Sequence, residues 1–151
     1  MRRKIKIYWS KPMSIKEFRE SDSRFEKGLY YVSRINGGHE TLLYIGKTDN
    51  SFTNRIESHI KNRHWWITQF PDTILIRLGT IMHPKDYTKA DLCAAESGLI
   101  FEMKPVGNNK QTMEYTYNYE YNDGNTVRLF EIYNEGNRKA LKAKISMYEQ
   151  E

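Results

Sequence analysis

Residues 28–46 read GLYYVSRINGGHETLLYIG, and this stretch decides the expected fold. Its two ends, Gly28 to Ile35 and Glu40 to Gly46, are rich in β-branched and aromatic residues, which favour strands. Between them stands Asn36-Gly37-Gly38-His39, whose glycines suit the positive φ angles of a tight turn. The stretch therefore predicts a β-hairpin of two neighbouring antiparallel strands.

The segments after this hairpin predict a helix, a strand and a second helix. In residues 51–62, apolar side chains recur every four positions, which indicates a helix with one face towards a core. Residues 73–82 are rich in Ile and Leu and predict a third strand. Residues 85–103 are helical again, and this helix is expected to end before Pro105.

The end of the chain has a different character. Residues 113–121 alternate tyrosines with polar residues, and Asn122-Asp123-Gly124-Asn125 is a strong turn signal before the apolar run at 127–133. We expect a second hairpin here. Residues 137–148 then predict a basic helix that carries Leu141 and Ile145 on one side.

The start of the chain predicts two short elements. Residues 4–9 alternate as a strand does, and Ser14 and Glu17 have the spacing of a helix capping box. No low-complexity linker or repeat divides the chain, so we expect a single domain over residues 1–151. Within it we distinguish a central unit at 27–110, an N-terminal extension at 1–26 and a C-terminal hairpin and helix at 111–151.

Composition limits the functional classes without choosing among them. The chain has 24 Lys and Arg against 19 Asp and Glu, a net charge of +5, which is compatible with binding a polyanion. One cysteine, Cys93, rules out an internal disulfide framework. No apolar run approaches the roughly 20 residues of a membrane helix, so we expect a cytoplasmic protein without membrane contact.

Glu96 is the polar residue that the helical pattern leaves unexplained. Positions 92, 96, 99 and 103 fall on one helical face, so a carboxylate lies inside an apolar stripe where burial without a partner is costly. A bound metal ion would explain it. A salt bridge with Lys or Arg at the edge of the stripe explains it equally well.

Two tripeptides and four polar residues in order carry a family resemblance. Gly28-Leu29-Tyr30 and Tyr44-Ile45-Gly46 are followed by Arg55 and His59, then by Glu96 and Asn108. This set resembles the signature of the GIY-YIG nuclease superfamily, with Leu29 in place of Ile and a slightly long loop. The resemblance covers the central unit and implies an α+β fold, a small three-stranded antiparallel sheet flanked by helices.

The resemblance also implies the chemistry. Glu96 would hold a single Mg²⁺ or Mn²⁺, and Arg55 would clamp the scissile phosphate. His59 would reach the same group or orient a tyrosine. Each residue also has a non-catalytic alternative: Arg55 could be a solvated helix residue, and His59 could be a packing residue.

The tyrosines and their neighbours complete the implied site. Tyr30 would be the general base or position the water, and Tyr44 would support it by donating a hydrogen bond; both are otherwise strand fillers. Lys47 would contact phosphate or activate the base, unless it is an exposed turn lysine. Asn108 would fix the geometry through hydrogen bonds, with Asn109 taking its place if the register slips by one.

These inferences predict a stand-alone, metal-dependent endonuclease that cleaves DNA, of restriction, phage or mobile-element type. The alternative is a DNA- or protein-binding module that keeps the fold without cleavage. Arg138, Lys139 and Lys142 would contact the DNA backbone, or form a solvated face. The oligomeric state stays open, a homodimer included.

Overall fold

The described part of this computed structural model covers residues 3–105, 107–108, 119–120, 126–127, 130–139 and 141–147. Its strands are β1 (Arg3–Trp9), β2 (Gly28–Asn36), β3 (His39–Thr48), β4 (Ile74–His83), β5 (Tyr119–Glu120), β6 (Thr126–Val127), β7 (Phe130–Gly136) and β8 (Lys144–Met147). The α-helices in the same ranges are α1 (Ile15–Glu20), α2 (Phe52–Lys61), α3 (Trp65–Gln69) and α4 (Lys89–Met103). A 3₁₀ turn spans Asp22–Phe25.

The sheet is larger than the sequence led us to expect. Six strands form one sheet in the order β3-β2-β4-β1-β7-β8, with β1 antiparallel to β4 and parallel to β7. The prediction of a small three-stranded antiparallel sheet is therefore wrong, although the fold is α+β. The three predicted strands β2, β3 and β4 make up half of a mixed sheet that both flanking segments extend.

The first strand shows why the sheet extends beyond the central unit. Ile5, Ile7 and Trp9 are fully buried, whereas the residues between them are exposed. A strand with one apolar face needs a core beneath it, and neighbouring strands satisfy its backbone N–H and C=O groups. It obtains them by lying between β4 and β7, so the N-terminal segment becomes a central strand.

The C-terminal helix is a second wrong prediction. Residues 144–147 form β8, which pairs antiparallel with β7 so that Ile145 lies opposite Ile132. Leu141 and Ile145 are both buried, as the sequence suggested, but in the core beneath a sheet. Of the predicted tyrosine-rich hairpin, Tyr119–Glu120 pairs antiparallel with Thr126–Val127; the intervening turn lies outside the described residues.

The helices cover the sheet on two faces. One core contains Tyr31 and Ile45 from the sheet with the apolar side chains of α4. The other contains Tyr30 and Val32 with side chains from α1, α2 and α3. Because neighbouring residues of a strand point to opposite faces, Tyr30 and Tyr31 belong to different cores.

Local signals placed most of these elements correctly. The Ser14 and Glu17 capping box is present at α1, and Thr88 with Asp91 forms another at α4. The β2-β3 turn uses Gly37 and Gly38 at φ 59° and 86°, as the hairpin prediction requires. Helix α3 was not predicted.

Candidate functional site

An open cleft of about 650 Å³ lies at the edge of the sheet formed by β3. Its walls come from β3, from α2 and α4 on opposite faces of the sheet, and from the segment after α4. The lining residues are Tyr44, Lys47, Thr48, Asp49, Arg55, His64, Glu96, Ile100, Gly107 and Asn108. This cleft brings together residues separated by more than sixty positions in the sequence.

Five of the ten sequence-predicted site residues meet in this cleft. Tyr44, Lys47, Arg55, Glu96 and Asn108 all line it. Their side chains come from strand, helix and loop, so only the folded chain can bring them together. The neighbour Asn109 lies outside the described residues.

Glu96 lines the cleft, and no described residue is a direct partner of its carboxylate. Within the described residues its carboxylate makes no hydrogen bond and no salt bridge. Burial raises the pKa of Glu96 above its ordinary value, while the positive charges of Lys47 and Arg55 act in the opposite direction. The salt bridge considered above is therefore absent from the described structure, and the carboxylate oxygens are available as ligands.

Tyr30 and His59 lie behind the cleft wall as a hydrogen-bonded pair. The Tyr30 hydroxyl and His59 Nε2 are 2.8 Å apart, and Tyr30 has no solvent exposure. Burial and the nearby Tyr44 raise the pKa of Tyr30, so its hydroxyl is protonated at neutral pH. Burial, with the charges of Arg55 and His64, lowers the pKa of His59 to about 4, so the imidazole is neutral.

A cluster of aromatic rings connects this pair to the cleft. The Tyr44 ring lies edge-on to His59 at 5.4 Å and to His64 at 5.2 Å between ring centroids. Trp66, fully buried on α3, packs behind both histidines at 5.6 Å and 5.1 Å. The rings of the site are therefore fixed by packing before any ligand binds.

Asn108 holds the segment after α4 against the edge of β3. Its Oδ1 accepts from the Ile45 N–H and its Nδ2 donates to the Ile45 carbonyl, both at 2.8 Å. The Gly107 N–H donates to the Leu43 carbonyl at 2.7 Å. Asn108 thus makes the two bonds that a neighbouring strand would make.

The predicted basic residues of the C-terminal segment do not line the cleft. Lys142 pairs with Glu102, and Lys139 Nζ lies 3.8 Å from Glu40. Arg138 donates to the Leu141 carbonyl. Their contact with DNA stays a prediction that would involve a surface separate from the cleft.

Sequence reasoning missed several of the lining residues. Ile100 follows Glu96 by one helical turn, so the helical period could have identified it. Thr48 and Asp49 directly follow Lys47. His64 follows His59 by five residues, and its position depends on how α2 ends, for which the sequence offered no glycine.

The donors of the cleft limit the metal chemistry. Among the residues that the structure describes, no group of three or more His, Cys, Asp and Glu side chains could hold a metal ion. The carboxylate of Glu96 can still supply one ligand by itself, because Mg²⁺ is commonly held by one or two carboxylates with waters and phosphate oxygens. The residues present could therefore supply one of the ligands of a Mg²⁺ or Mn²⁺ ion.

Two further findings concern the chain as a whole. No helix in the described ranges is both long and apolar enough to cross a membrane. Comparisons with known protein families, with curated proteins and with solved structures gave no match.

Proposed function

We propose that the chain is a divalent-metal-dependent endonuclease of GIY-YIG type that hydrolyses DNA phosphodiester bonds. The observation that carries the proposal is the carboxylate of Glu96, which has no partner among the described residues and lies in a cleft where Lys47 and Arg55 supply positive charge. A surface that only binds phosphate has no need for a carboxylate at this position. A cleaving enzyme needs one to hold Mg²⁺ or Mn²⁺.

Each cleft residue has a role in this proposal. Arg55 and Lys47 bind the phosphate, and the planar guanidinium of Arg55 can contact two of its oxygens. Glu96 holds the metal ion, which when bound supplies charge neutralisation at the phosphate and acidifies water. Tyr44 donates a hydrogen bond at the cleft surface.

The Tyr30 and His59 pair has a proton-holding role in the proposal. The Tyr30 hydroxyl is buried and keeps its proton at neutral pH, so its role would be to position groups of the site through its hydrogen bond to the neutral His59 ring. Arg55 lies close enough to lower the pKa of Tyr30 against the effect of burial. Asn108 keeps the segment after α4 in place.

A cleavage assay tests the proposal. Supercoiled, linear, branched and single-stranded DNA are each incubated with the protein and Mg²⁺, Mn²⁺ or EDTA. We expect cleavage of at least one form with a divalent ion and none in EDTA. If the unmodified protein binds DNA but cuts no form, the binding-module alternative is favoured.

The variant Glu96→Gln tests whether cleavage depends on the carboxylate of Glu96. It should abolish cleavage while DNA affinity is kept, because phosphate contacts come from Arg and Lys. Glu102→Gln is the matched control, since Glu102 lies on the same helix but pairs with Lys142 and does not line the cleft. Normal cleavage by Glu96→Gln would remove Glu96 from the mechanism.

A further inference from the structure

His64 is a cleft residue whose position is set by the end of helix α2. Arg63 has a left-handed φ of 52°, its N–H donates to the Ile60 carbonyl, and the His64 N–H donates to the His59 carbonyl, each at 3.1 Å. These two bonds with a left-handed residue form a Schellman motif. The motif turns the chain back so that the rings of His64 and His59 lie 5.1 Å apart.

The two nitrogens of the His64 ring have different surroundings. Nδ1 is buried and has no hydrogen-bond partner in the described part of the chain. Nε2 is not among the buried unpartnered atoms, and the ring lines the cleft, so the accessible edge of the ring carries Nε2. The ring therefore presents one nitrogen to the aromatic cluster and the other to the cleft.

The surroundings of the buried Nδ1 determine which nitrogen of the His64 ring carries the proton. Burial and the charge of Arg55 lower the pKa of His64, so the ring is neutral and has a single N–H. The Trp66 indole N–H is already a buried donor without an acceptor among the described residues, in a ring 5.1 Å from His64. A proton on Nδ1 would place two unpaired donors close together, whereas a lone pair on Nδ1 is attracted to the indole N–H. The proton belongs on Nε2.

We propose that His64 contacts the substrate of this cleft, its Nε2–H donating a hydrogen bond to a phosphodiester oxygen. This inference rests on the proposed function, because a phosphate held by Arg55 and Lys47 is the acceptor. His64 adds a neutral donor whose direction is fixed by Tyr44, His59 and Trp66. A neutral donor in a fixed position orients the phosphate through a directional hydrogen bond, whereas the two cations attract it by their charge.

Three substitutions test which nitrogen of the His64 ring donates the hydrogen bond. His64→Gln places an amide N–H near the position of Nε2, His64→Asn places one near Nδ1, and His64→Phe keeps the ring without a donor. Affinity for a labelled DNA duplex is measured in EDTA. The control is His39→Phe, because His39 is the exposed first residue of β3 and lies outside the cleft. We expect near-normal DNA affinity for His64→Gln and for the control. The affinity of His64→Asn and of His64→Phe should fall about tenfold. Normal binding by Phe, or better binding by Asn than by Gln, would overturn the proposal.

A measurement on the unmodified protein does not depend on how the variants fold. Long-range ¹H–¹⁵N correlation spectra report which ring nitrogen of His64 is protonated. We expect the proton on Nε2, and a shift of Nε2 when inorganic phosphate is added. A proton on Nδ1, or no response to phosphate, contradicts the inference. Because neither readout requires cleavage, a protein that cuts no DNA yet shows both results would refute the proposed function alone.

Discussion

At the scale of single residues, the site depends on a glycine and a tyrosine that share one space. A Cβ on Gly46 would overlap the ring and hydroxyl of Tyr30, so a side chain at position 46 would displace the tyrosine. The two residues face each other across the β2-β3 ladder. The second tripeptide therefore ends in glycine because the first ends in tyrosine.

Adjacent tyrosines on β2 provide a matched pair of variants. Tyr30→Phe removes the hydroxyl that bonds His59, and we expect single-turnover cleavage to fall about 10²-fold or more with DNA affinity unchanged. Tyr31→Phe removes a hydroxyl on the opposite face, which donates to the Arg138 carbonyl, and should leave cleavage near normal. Equal losses in both variants would show that the hydroxyls act only on the fold.

The lowered pKa of His59 predicts a pH-dependent stability. Between its ordinary pKa of 6.5 and its folded value of about 4, the unfolded chain takes up a proton that the folded chain does not. The free energy of unfolding should therefore fall as the pH drops through this window, by up to about 3 kcal/mol from His59. Urea unfolding at a series of pH values measures it.

Two substitutions attribute this pH dependence to His59. His59→Gln should make the fall in stability between pH 6.5 and pH 4 shallower, because the titrating group is gone. His39→Gln, at an exposed position, should keep the slope of the unmodified protein. An unchanged slope in His59→Gln would assign the effect to other groups.

At the scale of elements, the cleft depends on an edge strand closed by one side chain. Asn108→Ala leaves the Ile45 N–H and carbonyl without their partners, and should lower the free energy of unfolding by about 1–3 kcal/mol. Asn108→Asp keeps an acceptor for the N–H but sets an oxygen against the carbonyl. Hydrogen exchange at the Ile45 amide should be accelerated more in the Asn108→Ala variant than in the Asn108→Asp variant. Unchanged exchange in Ala would show that Asn108 does not hold β3.

At the scale of the whole molecule, the N-terminal strand belongs to the sheet that carries the cleft. Ile5→Ala should lower the free energy of unfolding by about 2–5 kcal/mol, because Ile5 is fully buried between β4 and β7. Tryptophan fluorescence and far-UV circular dichroism should report the same transition. Lys6→Ala, at the exposed neighbouring position, should change stability by less than about 0.5 kcal/mol. Two separate transitions in Ile5→Ala would show that the cleft region folds independently of β1.

The sequence allowed the local elements to be predicted better than their arrangement. The alternation at residues 4–9 predicted a strand, but strand neighbours are chosen over long sequence separations and the pattern does not name them. Leu141 and Ile145 are four residues apart, a spacing that fits both the helical period and the strand period, so burial was predictable and the element type was not. Four of the cleft residues, Tyr44, Arg55, Glu96 and Asn108, were predictable as members of an ordered set. The burial of Tyr30 and the position of His64 were not, because they depend on packing by α2 and α3.

The position of β1 has a consequence for the order in which the chain folds. Trp9 pairs with Gly79 on one side and with Gly136 on the other, and Arg3 pairs with Phe130. A ribosome adds about 5–20 residues per second from the N-terminus, so both partners of β1 are made well after it. The hairpin of β2 and β3 can form from local contacts in the meantime, whereas Ile5, Ile7 and Trp9 keep their apolar surface in water. Strand β1 is thus synthesised before both of its partners and is enclosed on both edges only after β7 has been made.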